Sequence, residues 1–121
     1  MLEIAGNAAK PGGGTWVAAS DERLKKNVET YTDGLSSILK IRPVIYNYNE
    51  LSGEDTTKQY IGVIAQELEK VSPYMISSFN KDGVAYLNVE NSPMIYMLIN
   101  AVKEQQLQIE ELKNIILELK K

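Results

Sequence analysis

The chain has 121 residues, with 13 basic and 16 acidic side chains, a net charge of −3 and neither cysteine nor histidine. The acidic balance argues against nucleic acid as a partner, because phosphate binding needs a local excess of Lys and Arg. Without cysteine, disulfides and most zinc sites are excluded, so we expect no metal centre. Without histidine, acid–base chemistry must use carboxylates, Lys or Tyr. Since no apolar run approaches ~18 residues and the N-terminus lacks a basic start, neither a membrane span nor a signal peptide is predicted.

Residues 1–19 differ from the rest of the chain in having only two charges, Glu3 and Lys10. The run Pro11–Gly14 predicts a turn or hinge, because glycine-rich backbone does not hold a helix. Thr15–Val17 favours a short strand. We interpret this segment as the end of a larger upstream stalk, or as a linker to it.

Residues 20–90 predict a small α+β body that begins with two short helices. Ser20 is an N-cap type, with acidic residues in the first turn and basic residues in the next. Asp33 is placed to cap the second helix, which Pro43 ends. The apolar residues of that helix share one face: Leu35, Ile38 and Leu39.

Strands follow these helices. The segments rich in β-forming residues are 44–49, 60–65, 74–79 and 84–88. A polar loop separates the first two, and a short helix is predicted at 66–71. The last two flank Asn80–Gly83, a hairpin signal.

Residues 91–121 predict one long helix. Ser92 precedes Pro93, the favoured residue at a first helical position. A heptad seam with a single polar position follows: Ile95, Leu98, Val102, Gln105, Ile109, Leu112, Ile116 and Leu119. Such a helix extends roughly 40 Å at 1.5 Å per residue. A body this small cannot cover it, so we expect copies of the chain to bury the seam in a parallel coiled coil.

The number of helices in this coiled coil is left open between two and three. A β-branched residue at one core position with Leu at the other favours two. Ile99 and Ile115 widen the apolar stripe, which suits three, and we favour the trimer slightly. The alternative of a core helix packed only on its own domain fits the regular seam and the charge-balanced outer face less well.

Candidate chemistry is confined to one pair, Ser20 and Lys25. The paired carboxylates lie in polar stretches, and Gly12–Gly14 is not followed by the Lys-Ser/Thr of a phosphate loop. A Ser–Lys dyad makes a nucleophile without histidine when the amine is neutral, which burial or the cations Arg23 and Lys26 favour. From spacing alone, a helix cap beside a surface lysine is the simpler interpretation.

The run Ser20–Val28 closely resembles the opening signature of the endosialidase-type intramolecular chaperone domains, the S74 peptidase family. The likeness continues, in the same order, over the rest of the chain to residue 121. It returns at Leu39–Val44, Tyr46–Tyr48, Ile61–Glu69, Val84–Leu87 and the terminal coiled coil.

The resemblance implies an assembly function followed by self-cleavage. Domains of this family end phage tail spikes, tail fibres and neck appendages, assist three chains to fold into an intertwined β-structured stalk, and then cut themselves off. Cleavage is implied at the Ala19–Ser20 bond, with Ser20 and Lys25 as the catalytic pair. Asp21 is expected to cap the turn or orient Lys25, and Gln66 is a candidate oxyanion donor. Some members are linked to nucleotide, but no phosphate motif supports a cofactor here.

We therefore predict an α+β, mainly helical fold: 1–19 as stalk end or linker, 20–90 as chaperone body and 91–121 as a parallel homotrimeric coiled coil. The expected partners are two further copies and the upstream stalk of the same polypeptide, without nucleic acid or membrane. The expected location is a virion tail or appendage precursor made in the host cytoplasm, with a soluble released domain.

Three alternatives stand beside this interpretation. The first is a non-catalytic trimerisation module in which Ser20 is only a cap. The second is a dimeric coiled-coil adaptor. A basic-zipper DNA binder is disfavoured, because residues 84–93, which precede the seam, contain no Lys or Arg.

Overall fold

The computed structural model describes residues 17–121, and the predicted hinge at 11–14 lies outside them. The helices and strands follow in chain order: α1 Leu35–Ile38, β1 Val44–Tyr46, β2 Tyr60–Gly62, α2 Ala65–Glu69, β3 Ile76–Lys81, β4 Val84–Val89 and α3 Pro93–Leu119. Single 3₁₀ turns lie at Glu22–Leu24, Glu50–Ser52 and Pro73–Met75. The prediction of a small mixed body followed by a long C-terminal helix is confirmed.

The four strands form two separate antiparallel pairs, β1 with β2 and β3 with β4. The turn between β3 and β4 has left-handed backbone at Asp82 and Gly83, with φ of 52° and 77°. Two consecutive left-handed residues are typical of the type I′ turn, whose twist matches that of the flanking strands. The predicted hairpin is therefore present at the predicted place.

The first strand is shorter than predicted, because β1 ends at Tyr46 rather than at residue 49. The Asn47 amide donates to the carbonyl of Thr56, and the Asn49 side chain accepts from the Leu51 N–H. These local bonds compete with the ladder and lead the chain into the loop. The second predicted strand likewise ends early, at Gly62, because Ala65 already begins α2.

The N-terminus of α1 is capped from a distance, which corrects the prediction that Asp33 caps it. Gly34 occupies the N-cap position and offers no side chain. The free N–H of Leu35 instead donates to Glu104 Oε2 at 2.9 Å, on α3. The Asp33 carboxylate accepts from the Tyr74 hydroxyl. Leu39, predicted to lie on one face with Leu35 and Ile38, is exposed.

The core forms where α3 crosses the body. Its fully buried members are Leu68, Met75 and Met97. Partly buried apolar side chains pack round them: Tyr31, Ile38, Ile41, Val63, Ile76, Val89 and Met94. Ala101 is also buried, one turn beyond Met97. After Glu104, every residue of α3 is exposed, so the body covers only the first part of the helix.

Polar contacts from α3 hold the extended segment before α1. Asn100 Nδ2 donates to the carbonyl oxygens of Tyr31 at 2.8 Å and Asp33 at 2.9 Å. Gly34 lies so close that a Cβ there would come within 2.8 Å of Glu104 Oε1 and 2.9 Å of Asn100 Cβ. We call this set of contacts, Asn100 and Glu104 with residues 31–35, the α3 clasp.

The clasp predicts that Gly34→Ala destabilises the protein. The backbone at Gly34, with φ of −158° and ψ of −123°, lies outside the extended and helical regions, and a Cβ there would also meet Glu104 Oε1 and Asn100 Cβ. We expect the free energy of unfolding to fall by about 1–3 kcal/mol, the usual cost of overpacking. Urea denaturation followed by circular dichroism measures it.

The matched control is Ser36→Ala, an exposed position of α1, which should stay within about 0.5 kcal/mol of the wild type. An unchanged unfolding midpoint in Gly34→Ala contradicts the close packing of this segment on α3.

Candidate functional site

A single 3₁₀ turn brings Ser20 and Lys25 into contact. The turn spans Glu22–Leu24, and the chain leaves it in an extended conformation at Lys25. Lys25 Nζ then lies 2.6 Å from Ser20 Oγ, and the amine donates to the hydroxyl. Two side chains five positions apart in sequence thus become direct hydrogen-bond partners.

Asp21, rather than Ser20, caps this turn, and the helix predicted from Ser20 onward is limited to it. Asp21 Oδ1 accepts from the backbone N–H of Arg23 at 2.8 Å. The Arg23 guanidinium donates to both carboxylate oxygens of Asp21, at 3.1 and 3.0 Å. The side-chain and backbone hydrogen bonds from Arg23 lower the pKa of the Asp21 carboxyl. Asp21 therefore stabilises the turn and makes no hydrogen bond to Lys25 within the described part of the chain.

Ser20 and Lys25 are both exposed to solvent. Every residue from 17 to 30 is exposed, Ser20 and Lys25 included. Arg23, one of the two cations expected to favour a neutral Lys25, is paired with Asp21. The contact brings the two groups together in exposed chain, with no burial to favour a neutral amine.

Gln66 lies apart from the Ser20–Lys25 pair. It stands in the first turn of α2 and lines an open groove between the two strand pairs, together with rings of Tyr46, Tyr48, Phe79 and Tyr86. No hydrogen bond joins Gln66 to Ser20 or Lys25 in the chain from residue 17 onward. A role for Gln66 in stabilising an oxyanion stays a prediction.

The tyrosines of this groove pack on one another. Tyr46 has its ring centroid 5.3 Å from that of Tyr48 and 5.7 Å from that of Tyr60. The hydrogen bond with Tyr48 and burial raise the pKa of Tyr46 to about 12. Tyr46 therefore stays protonated over the physiological range.

The predicted seam forms a continuous, uncovered apolar face on α3. Its apolar members range in exposure from 45% at Ile109 to 79% at Leu119. Leu98 and Val102 each follow a buried residue, Met97 and Ala101, by one position, which is about 100° round a helix. The face that packs on the body and the seam are therefore distinct, and Gln105 lies exposed within the seam.

Between residues 17 and 121, no three Asp and Glu side chains converge as metal ligands would. None of the described helices combines the length and the apolar character needed to span a bilayer.

The comparisons with known proteins agree with this arrangement. The profile of peptidase S74, described as the chaperone of endosialidase, matches residues 20–77 and so begins at Ser20. The long tail fiber protein Gp37 of Enterobacteria phage Ox2 is 32% identical over 115 residues, which are 89% of this chain and 45% of that protein. The protein of the same name from Enterobacteria phage M1 is 34% identical over 98 residues, 78% of this chain and 38% of that protein.

The chain thus spans less than half of the length of either relative. The matched segment 20–77 contains the Ser20–Lys25 turn, α1, the β1–β2 pair and α2. With this match and these relatives, residues 20–77 of the chain belong to the peptidase S74 family, the chaperones of endosialidase.

Proposed function

We propose that this chain is the trimerising assembly chaperone of a phage tail fibre, and that it cuts its own backbone between Ala19 and Ser20. The observation that carries the proposal is the 2.6 Å contact between Lys25 Nζ and Ser20 Oγ, at the start of the family match. The long tail fiber proteins among its relatives support a location in the virion tail and an attached upstream stalk.

The proposed cleavage uses the pair in two proton transfers. Ser20 Oγ gives its proton to a neutral Lys25 amine and attacks the carbonyl carbon of Ala19. The C–N bond to Ser20 then breaks, Lys25 returns the proton to the Ser20 nitrogen, and the Ala19 acyl group is left as an ester on Oγ. Water hydrolyses this ester, giving the Ala19 carboxylate and a free Ser20. Direct attack by a water that Lys25 deprotonates consumes the same water and gives the same products.

Two requirements of this chemistry are not met within a single chain. Lys25 must become neutral, and with Arg23 paired to Asp21, burial and the neighbouring Lys26 are the remaining influences in that direction. The developing oxyanion on Ala19 also needs donors, and Gln66 is the residue proposed from the resemblance. Both requirements favour cleavage after assembly over cleavage in the isolated chain.

The chaperone part of the proposal rests on the free face of α3. Burying a seam of this kind brings several chains into parallel register and raises the effective concentration of the segments attached to them. An intertwined stalk is rich in non-local contacts, so its nucleation is slow and misassembly competes with it. Removing the chaperone afterwards leaves the stalk kinetically trapped, since it loses the end from which it was assembled.

A second candidate function is a trimerisation module without catalysis, and a dimeric coiled coil remains its variant. The exposure of Ser20 and Lys25 favours this candidate. In it, the contact only tightens the turn before the body. The experiments below separate the two candidates.

Removing either member of the pair should stop cleavage. We expect the 121-residue chain to yield a fragment that begins at Ser20, and Ser20→Ala and Lys25→Ala to slow its appearance at least ~100-fold, because nucleophile or base is lost. Intact-mass spectrometry of the denatured chains over time measures it.

Exposed residues of the same types serve as controls: Ser78→Ala and Lys58→Ala should be cut at the wild-type rate. If all five chains stay intact while still assembling, the dyad is structural and the non-catalytic module is the function.

The seam should decide the oligomeric state. We expect light scattering of the uncut Ser20→Ala chain to give three times the 13.5 kDa of one chain. Leu112→Lys should shift this mass to that of one chain at micromolar concentration, because three ammonium groups cannot share a buried layer.

Leu107→Lys is the matched control, since Leu107 is 60% exposed and Leu112 59%, on the same helix, but only Leu112 belongs to the seam. Dissociation of both variants contradicts the predicted seam. A clean dimer mass for the uncut Ser20→Ala chain contradicts the trimer.

A further inference from the structure

We propose that Asn27 is a positioning residue for self-cleavage: its left-handed backbone sets the direction in which the Ser20–Lys25 turn leaves the body. This inference rests on the proposed self-cleavage. It concerns the backbone at residue 27 and not the chemistry of the amide.

The observation is a positive φ of 53° at Asn27. Across residues 17–121 the other non-glycine residue with positive φ is Asp82, at 52°, and the hairpin turn accounts for it. Asn27 belongs to no hairpin, helix or strand and forms an isolated bend in exposed chain. Left-handed backbone costs most L-residues free energy, so a bend of this kind needs a reason.

The bend stands between an anchored and an unanchored part of the chain. From Tyr31 onward the α3 clasp holds the backbone through Asn100. The hydrogen bonds before the bend stay within 20–25: Ser20 with Lys25, Asp21 with Arg23, Leu24 N with Asp21 O, and Lys25 N with Glu22 O. No hydrogen bond links residues 17–30 to the body in the described chain. The backbone between 25 and 31, with its corner at Asn27, therefore determines where the turn lies.

The direction of the turn matters because the turn cannot stabilise the oxyanion with its own central N–H groups. The N–H groups of Arg23, Leu24 and Lys25 are already donated to Asp21 and Glu22. Hydrogen-bond donors for the Ala19 carbonyl must come from groups other than these three. Whether such donors lie close enough to Ala19 depends on the direction of the backbone at residue 27. A misplacement of about 1 Å is enough to cost about a hundredfold in rate when groups must meet in a defined geometry.

The residue type fits a backbone requirement. Asn adopts the left-handed region more readily than most residues, glycine does so freely, and β-branched residues are disfavoured there. The Asn27 side chain makes no hydrogen bond among the described residues. A glycine should therefore replace Asn27, and a valine should not.

The test measures the rate at which the Ser20 fragment appears from the full chain in wild type, Asn27→Gly, Asn27→Ala and Asn27→Val. We expect Asn27→Gly to keep most of the wild-type rate, Asn27→Ala to be slower, and Asn27→Val to lose roughly five- to thirtyfold, the equivalent of the left-handed penalty. Rescue by glycine, which has no side chain, distinguishes backbone direction from a lost contact.

Asp82→Val is the matched control. It imposes the same strain, at φ of 52°, in the hairpin turn, and should leave the cleavage rate unchanged. Light scattering and thermal unfolding of each variant report assembly and stability, which a purely local role at Asn27 leaves near the wild type. If Asn27→Val does not assemble, the test rests on the cleavage rates of the other two variants, and Asn27→Gly should be faster than Asn27→Ala.

A failure of the Asn27 proposal can be distinguished from a failure of the proposed self-cleavage. Equal rates in the wild type and in Asn27→Val overturn the role of Asn27 and leave self-cleavage standing. Glycine and valine variants that are slowed equally assign the effect to the amide and overturn the backbone role. An intact wild-type chain overturns the proposed self-cleavage, and this role with it.

Discussion

The packing of α3 against the body of its own chain is the contact on which the rest of the structure depends. Met97 completes a buried core with Leu68 and Met75. In the α3 clasp, Asn100 donates two hydrogen bonds and Glu104 accepts one, and these fix residues 31–35. A body with strands of three to six residues and helices of four and five has little other means of burying apolar surface. Everything upstream, the Ser20–Lys25 turn included, is attached through this segment.

The same helix can serve the proposed assembly because its two apolar faces differ. Met97 and Ala101 are buried against the body, while Leu98 and Val102, one position further on, are exposed. Neighbouring side chains on a helix point about 100° apart, so adjacent residues are committed to different partners. The body can therefore be folded on α3 while the seam stays open to other copies.

Several features could be predicted from sequence because a local signal carries them. Asp82–Gly83 selects its turn through two left-handed residues, and the steps of three and four mark the seam of α3. The cap of α1 could not be predicted, because Glu104 lies 69 positions from Leu35 and no residue near Leu35 indicates that contact. The Ser20–Lys25 contact was expected from the family resemblance, whereas spacing alone favoured a plain cap, and a 3₁₀ turn capped by Asp21 replaced the predicted helix. The left-handed backbone of Asn27 carries no sequence signal beyond the tolerance of Asn for it.

The exposed part of α3 after Glu104 has a thermodynamic consequence for the chaperone itself. A stretch of about four turns without tertiary contacts is near the lower limit at which a helix holds together in water. In the proposed assembly this stretch therefore gains helical stability from the other chains, so the folding of each monomer depends on protein concentration. Below the concentration of assembly we expect this end of α3 to exchange between coil and helix, and on assembly to become a continuous rod. The proposed chaperone would then respond to the number of copies present before it sets their common register.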